Sequence, residues 1–261
     1  MLTFLMIGAH PDDMDLRCGG LAMLLRAQGH HVVFLSATNG NAGHMSMTKE
    51  ALRLRRLKEM EAAAKVYGIV YETLDIDDGY LECSIPVRDR LIRYIRKLKP
   101  DVIITHRGCD YHPDHRACGN LVRDCSYLLG VPMICPDVPA LRKAPVILSC
   151  EDRFTSPAPF RADVGADIGS VIDRKIQGVL AHRSQFMEWL PYDGQWTDVL
   201  EASSEEEAAE KLRARLRVRF SAPVRRFPDL FPKGAVYGEV FQTDEYGGKM
   251  TEEILQAVRG Q

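Results

Sequence analysis

The 261-residue chain lacks several features that mark particular protein classes. It has no basic excess, because 34 Lys and Arg face 36 Asp and Glu, whereas a nucleic-acid-binding surface needs clustered cations. Its seven cysteines are scattered and contain no Cys-x-x-Cys pair, which favours reduced thiols in a cytoplasmic protein over a disulfide framework. No apolar run approaches the length of a membrane span, and the N-terminal run is too short for a signal peptide. We therefore expect a soluble cytoplasmic protein that binds neither nucleic acid nor membrane.

Apolar runs that predict β-strands alternate with amphipathic segments that predict helices. Strands are expected at 2–7, 31–37, 69–76, 101–106, 146–149 and 235–242, and helices at 20–28, 48–66, 86–98, 164–185 and 203–219. This alternation implies parallel β-α-β units with right-handed crossovers. The expected fold is α/β, a Rossmann-like, mostly parallel sheet with helices on both faces. Since no linker is evident, we expect one domain over 1–261, with a core to about residue 190 and a C-terminal elaboration over roughly 191–261.

Two short motifs carry most of the chemistry of the sequence. They are His-Pro-Asp-Asp at 10–13 and His-Pro-Asp-His at 112–115. Each follows a predicted strand and precedes a helix, which is where ligands bind in open α/β sheets. In the common strand order 3-2-1-4 the first and fourth strands are neighbours. The two motifs should therefore meet, although about a hundred residues separate them in the sequence.

The imidazoles and carboxylates of these motifs predict a catalytic metal site. His10 and Asp13 reach back to one point because the loop is turning, while Asp12 is left to face a ligand water. His112 and His115 are three residues apart and lie on the same side of a first helical turn. Two imidazoles, one carboxylate and an open position are typical of catalytic zinc, because structural zinc sites are closed and often rich in thiolates. The same donors suit Fe²⁺, so zinc is a preference.

The paired motifs, with Gly19-Gly20 after the first, resemble those of the LmbE-like (PIG-L) family of zinc-dependent N-acetyl-sugar deacetylases. The resemblance extends to an Arg-x-x-Glu helix at 56–59 and to the segment His-Arg-Ser-Gln at 182–185, and it covers roughly residues 1–190. One departure is Met14, where many members carry Glu directly after the two aspartates. The proposed reacting positions are intact.

The resemblance implies a division of roles among these residues. The metal ligands would be His10, Asp13 and His115. Asp12 would be the general base that takes a proton from the metal-bound water. His112 would stabilise the oxyanion or protonate the leaving amine.

The roles of the flanking residues are less specific. The resemblance implies that Asp114 tunes His112, and Arg56 is a candidate to bind an anionic or hydroxyl-rich substrate. Simpler alternatives remain open: Asp12 and His112 are also suited to cap the helices that follow them. Arg56 is equally suited to pair with Glu59 on the helix surface.

The expected function is metal-dependent removal of an acetyl or similar acyl group from an amino sugar or sugar conjugate, a small-molecule N-acylated sugar being the partner. Alternatives are hydrolysis of another small amide and non-catalytic sugar binding, although the intact Asp12 argues against the latter. A nucleotide-dependent oxidoreductase is disfavoured because Gly-x-Gly-x-x-Gly is absent. We expect substrate contacts from Asn-Gly-Asn at 39–41 and from an aromatic loop at 186–196. The acyl group and the oligomeric state stay open, with a homo-oligomer compatible with the sequence.

Overall fold

The computed structural model describes residues 1–260 and contains a seven-stranded, mostly parallel sheet. Its strands are β1 (Thr3–Gly8), β2 (His31–Thr38), β3 (Val70–Ile76), β4 (Val102–Thr105), β5 (Val146–Cys150), β6 (Val164–Asp167) and β7 (Gly238–Thr243). Its helices are α1 (Asp13–Ala27), α2 (Lys49–Tyr67), α3 (Ile85–Leu98), α4 (Pro113–Leu128), α5 (Ile172–Leu180), α6 (Leu190–Asp193), α7 (Thr197–Leu200), α8 (Glu205–Arg226) and α9 (Glu252–Arg259). A π-helical turn at Ser184–Trp189 joins α5 to α6.

The strand order is β3-β2-β1-β4-β5-β7-β6, and it confirms the predicted neighbourhood of the first and fourth strands. β1 lies between β2 and β4 and is parallel to both, with Ile7 opposite Thr105 near the carboxyl ends. β7 comes from the C-terminal segment and pairs antiparallel with both β5 and β6. The segment after residue 190 thus contributes a strand to the sheet, while the number of domains stays a prediction.

Apolar side chains of the central strands alternate between two cores, one on each face of the sheet. Phe4 and Met6 face the core formed with α1, α2, α5 and α9, whereas Leu5 and Ile7 face the core formed with α3 and α4. Strands that are buried on both faces appear in sequence as continuous apolar runs, which is why β1 and β4 were predictable. Full burial of each such side chain stabilises the folded state by about 1.5–3 kcal/mol. No helix within residues 1–260 is long and apolar enough to cross a membrane.

Two glycines allow the loops of the site to approach one another closely. A Cβ at Gly119 of α4 would lie 2.5 Å from the carbonyl oxygen of His106, so a larger residue would push α4 away from the end of β4. Gly40, after β2, has a φ of +68°, and a Cβ there would lie 2.8 Å from Nε of Arg56. Both close approaches bring neighbouring loops against the two motifs.

The predicted helix at 164–185 is wrong. Residues 164–167 form β6, which pairs with β7, and the following helix α5 begins only at Ile172. That strand is defined by pairing with a segment about 75 residues later, which local periodicity does not reveal. The expected aromatic loop at 186–196 is also wrong, because it consists of the π-helical turn and α6.

Candidate active site

The two motifs meet at the carboxyl ends of β1 and β4, as the strand order predicts. The ring centroid of His10 lies 4.5 Å from that of His112 and 5.1 Å from that of His115. Both motifs line a cavity of about 770 Å³, which also contains Asp12 and Arg56 in its wall. A cavity of this volume accommodates a small-molecule ligand.

The three predicted metal ligands lie close together. His10 Nδ1 lies 3.2 Å from His115 Nε2 and 3.5 Å from Asp13 Oδ2, and His115 Nε2 lies 3.2 Å from Asp13 Oδ1. Zinc–nitrogen bonds of about 2.0–2.1 Å in tetrahedral geometry place neighbouring donor atoms roughly 3.3 Å apart. The spacing of these side chains therefore fits a zinc-sized cation.

The far ring nitrogens of both histidines face carboxylates. His10 Nε2 lies 3.1 Å from Asp78 Oδ1 and 3.4 Å from Asp114 Oδ2. His115 Nδ1 lies 3.0 Å from Asp110 Oδ1. Histidines that bind metals usually offer their second N–H to a carboxylate, which fixes the tautomer and the ring orientation. This second layer of contacts supports the same donor set.

The electrostatics of the cluster favour a bound cation. Burial opposes protonation of His115, but the charge of Asp13 and hydrogen bonds to Asp110 and Asp13 raise its pKa to about 9. Although burial opposes ionisation of Asp13 as well, the charge of His115 and hydrogen bonds with His10 and His106 hold its pKa well below the usual range. Carboxylates that stabilise a proton on an imidazole equally attract a divalent ion, which displaces that proton on binding.

Three overlapping groups of side chains in the described chain have donor atoms close enough to share an ion. They are His10, His112 and His115; Asp13, His106 and His115; and His10, Asp78 and Asp114. Each predicted ligand belongs to at least one group, but none of the three groups contains His10, Asp13 and His115 together. His106 at the end of β4 stacks on His115 with centroids 4.3 Å apart and accepts a hydrogen bond from the Ala9 amide. Burial lowers the pKa of His106 to about 4, so this ring stays neutral beside Asp13.

Asp12 occupies the position that precedes α1, but it does not cap the helix. Within residues 1–260 its side chain makes no capping hydrogen bond, and its φ is 129°, a conformation that costs a non-glycine residue about 1–3 kcal/mol. Two contacts hold it: Arg56 Nη2 donates to Asp12 Oδ2 at 3.0 Å, and the Asp12 amide donates to the Tyr71 hydroxyl at 3.0 Å. Burial raises the pKa of Asp12 against the opposing charge of Arg56. The carboxylate is thus positioned and is not used for capping.

Arg56 is a buried partner of Asp12, not a surface partner of Glu59. It is only 1% exposed, and it also donates to the carbonyl oxygen of Pro11. Glu59 instead accepts hydrogen bonds from the amide and hydroxyl of Ser184, at 2.7 and 2.6 Å. Nε and Nη1 of Arg56 find no hydrogen-bond partner among residues 1–260. Arg56 therefore holds Asp12 and leaves two donor atoms beside the cavity.

A buried hydrogen-bonded chain supports Asp12 from behind, and the sequence analysis missed it. The Tyr71 hydroxyl donates to Asp15 Oδ2 at 2.9 Å, and Asp15 Oδ1 lies 3.0 Å from His182 Nε2. Asp15 and His182 are each 0% exposed. Tyr71 looked like an ordinary strand residue because its role depends on β3 lying beside the start of α1.

His112 caps α4 and still presents a polar group to the cavity. Its Nδ1 accepts a hydrogen bond from the Asp114 amide at 3.2 Å. Since an amide only donates, the neutral ring carries its proton on Nε2. The Asp114 carboxylate accepts from the amides of Gly79 and Leu81 and does not contact the His112 ring directly. Burial and the charges of His10 and His115 lower the pKa of His112, with Asp114 opposing them.

The loop after β3 supplies Asp78, which the sequence analysis also missed. The asparagines expected to contact substrate hold this loop instead: Asn41 Nδ2 donates to Asp77 Oδ1 at 2.8 Å, and its Oδ1 accepts from the Asp78 amide at 3.1 Å. Asn39 and Asn41 are buried, so their expected contacts with substrate are not supported. The acidic pair Asp77-Asp78, directly after the strand predicted at 69–76, was the available signal.

Aromatic side chains from the π-helical turn and the segment after it form a further part of the cavity wall. Phe186, Trp189 and Trp196 line it, whereas Tyr192 is 54% exposed and lies outside the lining. The π-helical turn that carries Trp189 is tied to the rest of the site through Glu188, which binds Arg55 and His44. These contacts connect the turn to α2 and to the loop after β2.

Comparison with known proteins identifies relatives with several activities. Residues 5–126 match the family model described as GlcNAc-PI de-N-acetylase (PIG-L). The chain is 29% identical over 206 residues to a diacetylchitobiose deacetylase of Thermococcus kodakarensis, covering 72% of this chain and 73% of that protein. It is 31% identical over 196 residues to a probable N-acetyl-alpha-D-glucosaminyl L-malate deacetylase 2 of Bacillus subtilis, covering 69% and 82%. It is also 27% identical over 196 residues to a 4-oxalmesaconate hydratase of Pseudomonas putida, covering 72% and 76%.

A solved structure supports the same fold. The N,N'-diacetylchitobiose deacetylase of Pyrococcus horikoshii superimposes with a TM-score of 0.75 and 23% identity, covering 94% of this chain and 84% of that one. The superposition includes the C-terminal elaboration, which the sequence motifs do not reach.

Proposed function

Because the chain belongs to the PIG-L family of de-N-acetylases, we propose that it is a metal-dependent hydrolase that removes the N-acetyl group from an amino sugar or sugar conjugate. The observation that carries this proposal is the position of Asp12, held by Arg56 beside the convergent donors of His10 and His115. A polar cluster that served only to stabilise the fold would not need a strained carboxylate left free of capping.

The metal ligands in this proposal are His10, Asp13 and His115, whose spacing suits zinc and does not exclude Fe²⁺. When bound, such an ion would supply Lewis-acid chemistry, acidifying water and polarising a carbonyl. The contacts of Asp78 and Asp110 with the far ring nitrogens would keep both imidazoles in the ligating tautomer.

Asp12 is the general base. It removes a proton from the attacking water while the new carbon–oxygen bond forms at the acetyl carbon, a role typically worth about 10²–10⁴ in rate. Burial favours proton uptake by Asp12, and Arg56 keeps its carboxylate oriented before and after the transfer. When the carbon–nitrogen bond breaks, the proton on Asp12 passes to the leaving nitrogen. Water and amide thus become acetic acid and free amine, and the acid then gives up its proton, so that acetate and ammonium are the forms present at neutral pH.

His112 stabilises the charge that develops on the acetyl oxygen. Its capping bond through Nδ1 leaves Nε2–H as the donor of the neutral ring. A donor fixed before the reaction needs no reorganisation when the oxyanion forms. Asp114 acts indirectly, since its charge opposes the fall in the pKa of His112 while its carboxylate orders the loop that carries Asp78.

The wall of the cavity suits a sugar. Asp78 and Arg56 line it with a carboxylate and a guanidinium, and Trp189 and Trp196 line it with flat apolar faces. A site that hydrogen-bonds hydroxyl groups strongly rejects analogues without them, because its buried polar groups are then left unpaired. We therefore expect N-acetylglucosamine-type compounds to be used and simple N-acetyl amino acids to be poor substrates.

The experiment is acetate release from a panel of N-acetylated sugars and N-acetyl amino acids, with free amine measured in parallel. Asp12→Asn should release little acetate from any sugar, whereas Asp137→Asn, at an exposed residue paired with Arg93, should match the parent. A clear preference for N-acetyl amino acids would overturn the substrate class. Acetate release that is unaffected by Asp12→Asn would overturn the mechanism.

A second candidate is hydration of a small unsaturated carboxylate, favoured by the relative named 4-oxalmesaconate hydratase. A base and a Lewis acid that activate water for attack on an amide are also suited to adding water across a double bond. The discriminating result is consumption of 4-oxalmesaconate with no acetate from any sugar in the panel.

A further inference from the structure

A second cavity of about 730 Å³ adjoins the proposed active site. The two cavities share wall residues from three parts of the chain, namely Arg17 of α1, Tyr111 just before the second motif, and Arg215 and Arg219 of α8. They therefore form one continuous cleft, and a ligand seated at the metal ligands extends into the second cavity if it is longer than a monosaccharide.

The wall of the second cavity is rich in arginine. We call Arg17, Arg153, Arg219 and Arg225 the arginine groove. They lie on three separate elements, α1, the segment after β5, and α8. None of the four forms an ion pair with a carboxylate elsewhere in the part of the chain that the structure describes. Arg17 donates to the backbone carbonyl of Glu151, and Arg225 donates to the hydroxyl of Ser221.

The acidic residues of the same wall are already engaged. Asp152 forms a buried ion pair with Arg107, at 2.5 Å between Oδ2 and Nε. Glu151 pairs with Arg226 at 3.1 Å. Both of these arginines lie outside the lining of this cavity, so the two acids do not neutralise the arginine groove.

Five arginines and only two acidic residues line the second cavity, so its wall carries an excess of positive charge. The Arg219 side chain is solvent-accessible, yet the protein atoms around it and the charges of Arg17 and Arg153 lower its pKa to about 10. Like charges placed together without counter-ions are destabilising unless a ligand supplies the opposite charge. Guanidinium groups are suited to carboxylate and phosphate, because their planar donors bind two oxygens at once.

We propose that the arginine groove binds an anionic group, a carboxylate or a phosphate, on the aglycone of the sugar conjugate. This rests on the proposed function, since it names the substrate class of the same site. Arg219 and Arg225 come from α8, beyond the segment that carries the motifs of the site. The C-terminal elaboration thereby sets which conjugate is accepted, while the motif residues carry out the chemistry.

The test compares three phenyl N-acetylglucosaminides that differ only in the para group: carboxylate, phosphonate and hydroxymethyl. The parent should use at least one anionic compound with a kcat/KM roughly tenfold or more above that of the neutral one. Arg219→Ala and Arg153→Ala should each remove most of this preference, lowering kcat/KM for the anionic compounds much more than for the neutral one. The preference should shrink as salt is raised. The carboxylate and phosphonate arms separate the two sources of charge.

Arg213→Ala is the matched control. It removes the same charge from the same helix, but Arg213 pairs with Glu206 and Glu210 and does not line the groove. Equal use of the three compounds by the parent would overturn the proposal. So would an equal loss of preference in Arg213→Ala, which would point to net charge and not to the groove.

Calorimetric binding of the same compounds separates this proposal from the proposed function. If no compound releases acetate but the anionic ones bind more tightly and lose that advantage in Arg219→Ala, deacetylation is refuted and the anion site stands. If all three compounds release acetate and bind with equal affinity, the anion site is refuted and deacetylation stands.

Discussion

Tyr71→Phe should weaken both stability and turnover, although Tyr71 is not a proposed metal ligand and does not itself line the cavity. The change removes one hydroxyl group, which accepts from the Asp12 amide at 3.0 Å and donates to Asp15 Oδ2 at 2.9 Å. The ring itself is retained and keeps its edge-on contact with Phe34, at 5.3 Å between centroids. The effect therefore isolates the two hydrogen bonds.

The magnitude follows from what is left without a partner. A buried amide without an acceptor costs about 1–3 kcal/mol, and a lost hydrogen bond to a buried carboxylate adds to this. We expect the free energy of unfolding, measured by urea titration, to fall by about 2–3 kcal/mol. Because the hydroxyl also restrains Asp12 at a φ of 129°, kcat should fall by roughly tenfold while KM and metal content stay near those of the parent.

Tyr94→Phe is the matched control, because the Tyr94 hydroxyl also binds a carboxylate, Glu72 Oε2 at 2.5 Å, but at the surface of the sheet. The Tyr94→Phe change should lower the free energy of unfolding by less than about 1 kcal/mol and leave kcat unchanged. If Tyr71→Phe matched the parent in stability and kcat, the claim that Tyr71 positions Asp12 would be refuted.

Four further predictions concern the site. His115→Ala should lose most bound metal by elemental analysis, and full occupancy would refute its assignment as a ligand. Asp12→Asn should keep the metal and lose about 10²–10⁴ in kcat, so parental turnover would place the base elsewhere. Arg56→Ala should lower kcat with metal content unchanged, because Arg56 orients Asp12; a change in KM alone would favour substrate binding. Hydrogen bonds to Arg55 lower the pKa of Glu188 to about 2, so the stability difference between parent and Glu188→Gln should shrink as pH falls from 4.5 towards 2; a constant difference in acid unfolding would refute this.

The first half of the fold could be predicted because its signals are local. β1 and β4 are continuous apolar runs, α2 ends at Gly68 in a left-handed conformation, and Pro113 begins α4. These signals define the alternation of strands and helices, and the alternation brings the two motifs together. The later elements depend on contacts between distant segments, as in the pairing of Val164 with Phe241, and no local pattern reveals them.

The reacting side chains were predictable in type, but their supports were not. The spacing of the two motifs indicates a set of imidazoles and carboxylates, and the family resemblance selects His10, Asp13 and His115 among them. Tyr71, in contrast, gains its role only through a hydrogen bond that the tertiary fold makes. Arg56 illustrates the same limit, because the helix pattern allowed a surface pair with Glu59 and tertiary packing placed its guanidinium against Asp12. Asp78 could have been predicted in the same way as the two motifs, since it too follows a strand at the same edge of the sheet.

The central claim is that one divalent ion, held by His10, Asp13 and His115, is required for deacetylation. The most direct measurement is the rate of acetate release from di-N-acetylchitobiose by chelator-treated protein, as Zn²⁺ or Fe²⁺ is returned in measured steps. We predict a negligible rate without metal and a rise that is complete at about one ion per chain. A full rate in metal-free protein, or no acetate at any metal content while the other sugars of the panel are also untouched, would contradict the account.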